Sequence, residues 1–156
     1  MEFTERYKFV PLLISADINA GIDFDSIDMK NCHHAAIVMI FGADLSGDAI
    51  LTINSGDTDG TKTTAETFGY RYGSAATKSA TADTLTDRAT SAALTVTGAT
   101  FLSRMLVCEI SASALTEGQN FLTAALSNAA SAGTCNAFAI LDTRYPGETI
   151  PSAIPA

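Results

Sequence analysis

Tryptophan is absent from the chain, and with it goes the Cys…Trp…Cys core that marks an immunoglobulin domain. Cysteine is sparse: positions 32, 108 and 135, an odd count with no CxxC spacing. Neither a disulfide framework nor a cysteine metal cluster follows from that pattern. Cys108 and Cys135 lie inside apolar runs, where a thiol behaves as a small hydrophobe. This usage fits synthesis in a reducing cytoplasm. Positive charge is scarce too. Nine Lys and Arg face seventeen Asp and Glu, a formal net charge of −8 with no basic run. That balance argues against nucleic acid as a partner, and suits solubility and resistance to nonspecific association. No apolar run approaches the ~18 residues of a membrane span. The opening MEFTERYKFVPLLIS carries charges where a signal peptide would turn apolar, so none is expected.

The signatures of chemistry are missing as well. There is no GxSxG, HExxH, Walker loop or GxGxxG. The two histidines, His33 and His34, are adjacent and have no third ligand at a metal spacing. They read as strand-end residues. Asp17, Asp23, Asp25 and Asp28 alternate with Ile18, Ile22, Phe24 and Ile27, while Asp57, Asp59 and Gly60 echo a fragment of a calcium loop. Neither stretch has the ligand spacing or closing Glu that calcium needs. The expectation is a protein without catalysis, metal or cofactor.

What the chain does have is alternation. At 156 residues it reads as one domain, able to bury roughly 68–70% of its unfolded surface. Residues 33–42 and 49–53, joined by a Gly/Asp stretch at 44–48, read as two antiparallel strands with a hairpin-like connection. In the first, Ala35, Ile37, Met39 and Phe41 point one way and Ala36, Val38 and Ile40 the other. Both faces are apolar, which predicts a strand buried on both sides or covered by a neighbouring subunit. Residues 66–73 alternate Phe68, Tyr70 and Tyr72 with small or polar partners. This predicts an aromatic ladder on the core face; a carbohydrate-stacking platform is the alternative.

Residues 74–90 form a polar loop. Further strands are expected at 91–97, 105–110, 121–127 and 135–141, a helical turn at 111–118, and a loose turn at 128–133. Glu109 is expected near an edge or an interface. Seven to nine short strands, with turn signals every eight to twelve residues, give an all-β antiparallel sandwich, and among sandwiches a jelly roll. The ends differ from this body. Residues 1–15 read as an N-terminal arm in which Phe3, Tyr7, Phe9 and Val10 precede Pro11. The arm folds back on its own domain or docks on a neighbour. The sandwich takes residues 16–147. Residues 148–156 form an extended tail, kept out of a regular ladder by Pro151 and Pro155.

Three stretches carry a resemblance: ADINAGIDFDSIDMKNCHHAAIVMIFG, TSAALTVTGATFLSRMLVCEISASALTEG and FLTAALSNAASAGTCNAFAILDTRYPG. Together they cover most of residues 16–147, and they describe strands and turns, not a site. The chain resembles the structural proteins of tailed-bacteriophage virions, in particular jelly-roll capsid decoration proteins. The resemblance implies a protein made in the host cytoplasm and carried on the outer surface of an icosahedral head. It implies a homotrimer that binds the major capsid protein and stabilises its lattice. Phe3, Tyr7, Phe9 and Val10 are the expected capsid contacts. A terminal strand added to a capsid sheet edge is one way to make them. Another virion part (head-completion, tail or fibre-associated) and a carbohydrate-binding module using Tyr70 and Tyr72 are the alternatives.

Overall fold

A computed structural model of the chain describes residues 2–127, 132–147 and 151–154. In chain order the elements are helix α1 (Phe3–Arg6), β1 (Tyr7–Asp17), β2 (Ile22–Asp23), β3 (Ile27–Asp28), β4 (Cys32–Phe41), β5 (Asp48–Gly56), β6 (Thr64–Ala65), β7 (Phe68–Tyr72), β8 (Ala89–Ser91) and β9 (Leu94–Thr97). Helix α2 (Gly98–Phe101), β10 (Met105–Ser111), a 3₁₀ turn (Ala112–Ala114), β11 (Phe121–Ser127) and β12 (Thr134–Thr143) complete them. The front sheet runs β1-β12-β4-β10-β7-β8. The back sheet runs β2-β11-β5-β6, with β3 also on β11 and β9 also on β5. Every pairing is antiparallel.

The order is that of a jelly roll. The quartet β1-β12-β4-β10 faces a second quartet in which β2 and β3, β11, β5 and β9 play the four parts. The chain changes sheet at each step of this set except from β5 to β9, giving the two interleaved Greek keys of that fold. Strands β6 to β8 are an insertion between β5 and β9, and β7 and β8 widen the front sheet.

One expectation fails here. Residues 33–42 and 49–53 are not a hairpin, because β4 lies in the front sheet and β5 in the back. The connection is too long for a two-residue turn, and it is drawn inward. Leu45 is buried, Ser46 bridges to Ala132, and Gly42 N–H donates to the Thr134 carbonyl at 2.8 Å. The link is thus tied to the start of β12 and spans the gap between sheets.

The core lies between the sheets. Across the front sheet the row Val10–Ala139–Ile37–Cys108 faces inward; across the back sheet Leu51 pairs with Leu126 and Ile53 with Ala124. All are buried, and burying each large aliphatic is worth ~1.5–3 kcal/mol relative to exposure. Tyr70 and Tyr72 are half-buried against this core, ring to ring with Phe68 at 6.5 Å and Phe101 at 5.1 Å. The aromatic ladder is on the core side.

Of the expected arm, residues 2–15 do not stand apart from the domain. From Tyr7 onward they are β1, the edge strand of the front sheet, paired along β12 with register shifts after Pro11 and Leu13. Alternation explains it: Phe9 and Pro11 point out, Val10 and Leu13 point in. Pro11 is tolerated because an edge strand can lose a donor. One edge of β1 is paired along β12, and among the described residues no strand pairs with its other edge. The boundary expected at residue 16 falls inside β1. Of the expected tail, Ala153 is buried, and its carbonyl accepts from Asp28 N–H at 2.8 Å. Residues 148–150 and 155–156 of the tail, and 128–131 of the expected turn, lie outside the described residues.

The two outer faces are not alike. On the back sheet, Asn54, Thr123 and Ala125 point outward yet are buried. The loop after β5 roofs them. Gly60, at φ +73°, turns the loop tip so that its N–H donates to Ser26 Oγ at 3.0 Å. Ser26 Oγ is 2.6 Å from Thr123 Oγ1, and Lys62 Nζ meets the Asp23 carboxylate at 2.6 and 2.8 Å. On the front sheet one outward residue, Val38, is also buried, flanked in register by Phe138 and Val107, while the rest of its row is half-buried or exposed.

Candidate interaction surface

The outer face of the front sheet is built by register. One row across the strands is Phe9–Ile140–Ala36–Glu109–Gly69. The next is Pro11–Phe138–Val38–Val107–Arg71, and a shorter third is Asn136–Ile40–Met105. Side chains alternate across a pleated sheet, so these rows point away from the core. Apart from Asn136, they are apolar over β1, β12 and β4; charge enters only at Glu109 and Arg71. In a chain of net charge −8 this is a large uncharged area. Over β1, β12 and β4, three strands at ~4.8 Å by three outward rows over ~20 Å give about 300 Å² in projection, within the range of apolar patches that monomers expose.

A ridge of aromatics borders this face. Phe3, carried on α1, lies 4.5 Å from Tyr7 and 5.8 Å from Phe9, centroid to centroid. Glu2 and Glu5 close a capping box around the short helix and so fix where Phe3 projects. Arg6 sits over the Tyr7 ring at 5.3 Å and meets Asp142 at 3.4 Å. Phe3 is 59% exposed and Phe9 45%. Beside the ridge a hollow of about 230 Å³ is lined by Tyr7, His34, Ala36, Glu109, Ile140 and Asp142. Toward the far edge Gly69 has no side chain, and the Arg88 guanidinium lies where its Cβ would be. Arg71, Arg88 and Glu109 make no ion pair among the described residues.

Three of the four expected contact residues therefore come together. Phe3, Tyr7 and Phe9 form the ridge. Val10 does not join them: it is 1% exposed, in the core row. It neighbours Phe9 in sequence and so faces the opposite side of the strand, which is the correction alternation demands. The residues absent from the expected contacts are Ala36, Val38, Val107, Phe138 and Ile140. Their signal was the two-sided apolarity of β4, repeated in β12, which only register could join into one surface.

Elsewhere the chemistry is structural. The carboxylates of the 17–28 stretch cap turns: Asp17 accepts from Asn19 N–H at 2.9 Å, Asp25 from Ser26 N–H at 3.1 Å, and Asp28 from Lys30 N–H at 2.9 Å. Among the described residues no three His, Cys, Asp or Glu are grouped to hold a metal. A cavity of about 40 Å³ between Lys8, Cys32, Tyr145 and Pro151 is room for a water or two, not for a ligand. Among the described residues no helix is long and apolar enough to cross a membrane.

All three thiols are buried and unbridged. Burial, with the Asp28 charge nearby, pushes Cys32 up to about 11; burial pushes Cys135 up to about 12 and Cys108 higher still. The most connected buried polar group is Glu66. Its Oε1 accepts from Ser55 Oγ at 2.5 Å and from Thr116 N–H and Oγ1 at 2.9 Å. The Gln119 amide is 2.7 Å from the same Ser55 oxygen. A hydroxyl has one proton, so with that given to Glu66 the amide NH₂ faces Ser55. Burial raises the Glu66 pKa, but these donors outweigh it and hold the carboxyl below its ordinary value.

No protein-family model and no curated protein matches the chain. Among solved structures, the crystal structure of the SPBc2 prophage-derived protein YomS is similar. The match has a TM-score of 0.50 and 11% identity, over 86% of this chain and 91% of that one. At that identity the likeness is one of fold: both chains are built on the same sandwich over nearly their whole length.

Proposed function

We propose that the chain is a structural protein of a phage virion, a capsid decoration protein that sits as a trimer on the outer surface of an icosahedral head. The observation that carries this is the apolar outer face of the front sheet with its ridge of Phe3, Tyr7 and Phe9. The fold it shares with a prophage-derived protein supports the phage setting. The mechanism is binding without catalysis. Each copy bridges neighbouring subunits of the shell, opposes separation of the major capsid protein lattice, and adds to its neighbours by repetition. Phe3, Tyr7 and Phe9 stand at the border of this face as apolar anchors for protein contact within the assembly. The acidic remainder of the surface stays solvated and outward.

Quantitative mass spectrometry of purified particles tests the reading. A decoration protein is present at a copy number comparable to the major capsid protein. A handful of copies per particle would instead make it a head-completion, tail or fibre part, and absence from particles would overturn the virion role.

A further inference from the structure

The front face carries both halves of a contact. At the β1 edge Phe3 and Phe9 stand proud. Next to them lies the hollow over Ala36 and Ile140, and on β7, one strand in from the far edge, runs a strip where the Arg88 guanidinium occupies the space a side chain on Gly69 would take. That strip holds Arg71 and Arg88 without ion-pair partners among the described residues. A guanidinium without a carboxylate is a partner for an aromatic face, and the exposed aromatics of this surface are at its opposite edge. No single molecule can bring its own two edges together; two copies can.

We infer that this face is where copies of the chain meet, the Phe3–Phe9 ridge of one lying across the Gly69–Arg71–Arg88 strip of the next. Three faces turned inward make a closed prism, each edge resting on its neighbour, with Ile140, Ala36 and Phe138 filling the middle. Closure of this kind uses one heterologous contact repeated around an axis. The chain's net charge of −8 opposes association, and the three rows of the face carry no charged side chain over β1, β12 and β4. The roofed back sheet offers no comparable area. The inference deepens the proposed function by naming the self-contact, and it rests on that reading only for the number of copies.

Sedimentation velocity and native mass spectrometry of the isolated full chain test it. The wild type is expected as a trimer. Ala36→Arg, which fills the hollow, and the double change Arg71→Glu with Arg88→Glu, on exposed side chains, should each weaken association by about tenfold or more, the scale of a lost hot-spot contact. Circular dichroism should be unchanged. Ile50→Lys, on the back sheet, should associate like wild type. A wild-type monomer at its highest soluble concentration overturns the inference; so does assembly indifferent to both front-face variants or equally lost in Ile50→Lys. A monomer that still saturates heads sinks the self-contact and leaves the decoration role. A dimer abolished by the front-face variants keeps the contact and overturns the trimer.

Discussion

Replacing Glu66 by Ala should be the most costly single change at a polar position. The carboxylate gathers β5 through Ser55 and the turn before β11 through Thr116, at a site 8% exposed. A hydrogen bond to a charged group is worth ~1.5–3 kcal/mol, and an abandoned buried donor costs ~1–3 kcal/mol. The three bonds share one oxygen, so they do not add. Ser55 keeps the Gln119 amide, which leaves Thr116 N–H as the main orphan. The net is about 3 kcal/mol for Glu66→Ala and about half that for Glu66→Gln, which keeps an acceptor and loses the charge. In a chain of this size ~1 kcal/mol moves Tm by ~2–4 °C, so the Ala variant should melt about 10 °C lower. Urea titration followed by far-ultraviolet circular dichroism at neutral pH reads both.

The sign with pH follows from the lowered folded pKa. The charge contributes fully above its ordinary value of 4.5 and is lost as pH falls through the folded value. The gap between wild type and Glu66→Gln should therefore close in acid below that point. A Glu66→Ala loss under about 1 kcal/mol, less than one charged hydrogen bond, or a Gln gap constant into strong acid would refute the reasoning.

Val10 and Phe9 separate core from surface on adjacent residues. Val10→Ala should cost about 2 kcal/mol in urea unfolding, whereas Phe9→Ala should leave stability within about 1 kcal/mol and weaken assembly; the reverse ranking would put β1 in the wrong register. The buried thiols, all with raised pKa values, should stay unreacted with a thiol reagent at neutral pH until denaturant is added, and fast labelling of any of them in the native protein would contradict the packing. Gly56→Ala should destabilise by about 2 kcal/mol or more, since its Cβ would strike the Thr61 backbone carbonyl. Gly118→Ala, at φ +80° in open space, should cost only the ~1 kcal/mol of left-handed strain; equal losses in thermal melts would say that the loop after β5 is not held where it lies.

Most strands were legible because alternation and turn residues act locally. β10, β11 and β12 follow from the apolar periodicity of their own segments. What pairs with what was not legible. β4 and β5 each alternate well enough for either sheet, and only the burial of Leu45 and the tie to Thr134 decide that they part. Residues 12–16 read as a short strand, but the first part of β1 was hidden by Pro11, which argues against a strand until its place at an edge is known. The candidate surface was half legible. Phe3, Tyr7 and Phe9 announced themselves as large groups near the start of the chain. Val10 came with them because a list of apolar residues does not carry direction. Phe138, Ile140 and Val107 belong to the same face only through β12 and β10 lying on either side of β4, a long-range fact.

The rim at β1 is irregular. Pro11 withholds a donor, and two register shifts leave the outermost strand kinked rather than straight. A straight open rim would let molecules line up end to end without limit, as in a fibre. Here that route is blunted, which leaves the broad side of the sheet as the place for the proposed self-contact, and a broad side once covered offers nothing more to add to. Such a contact would give an object with a fixed, small number of parts.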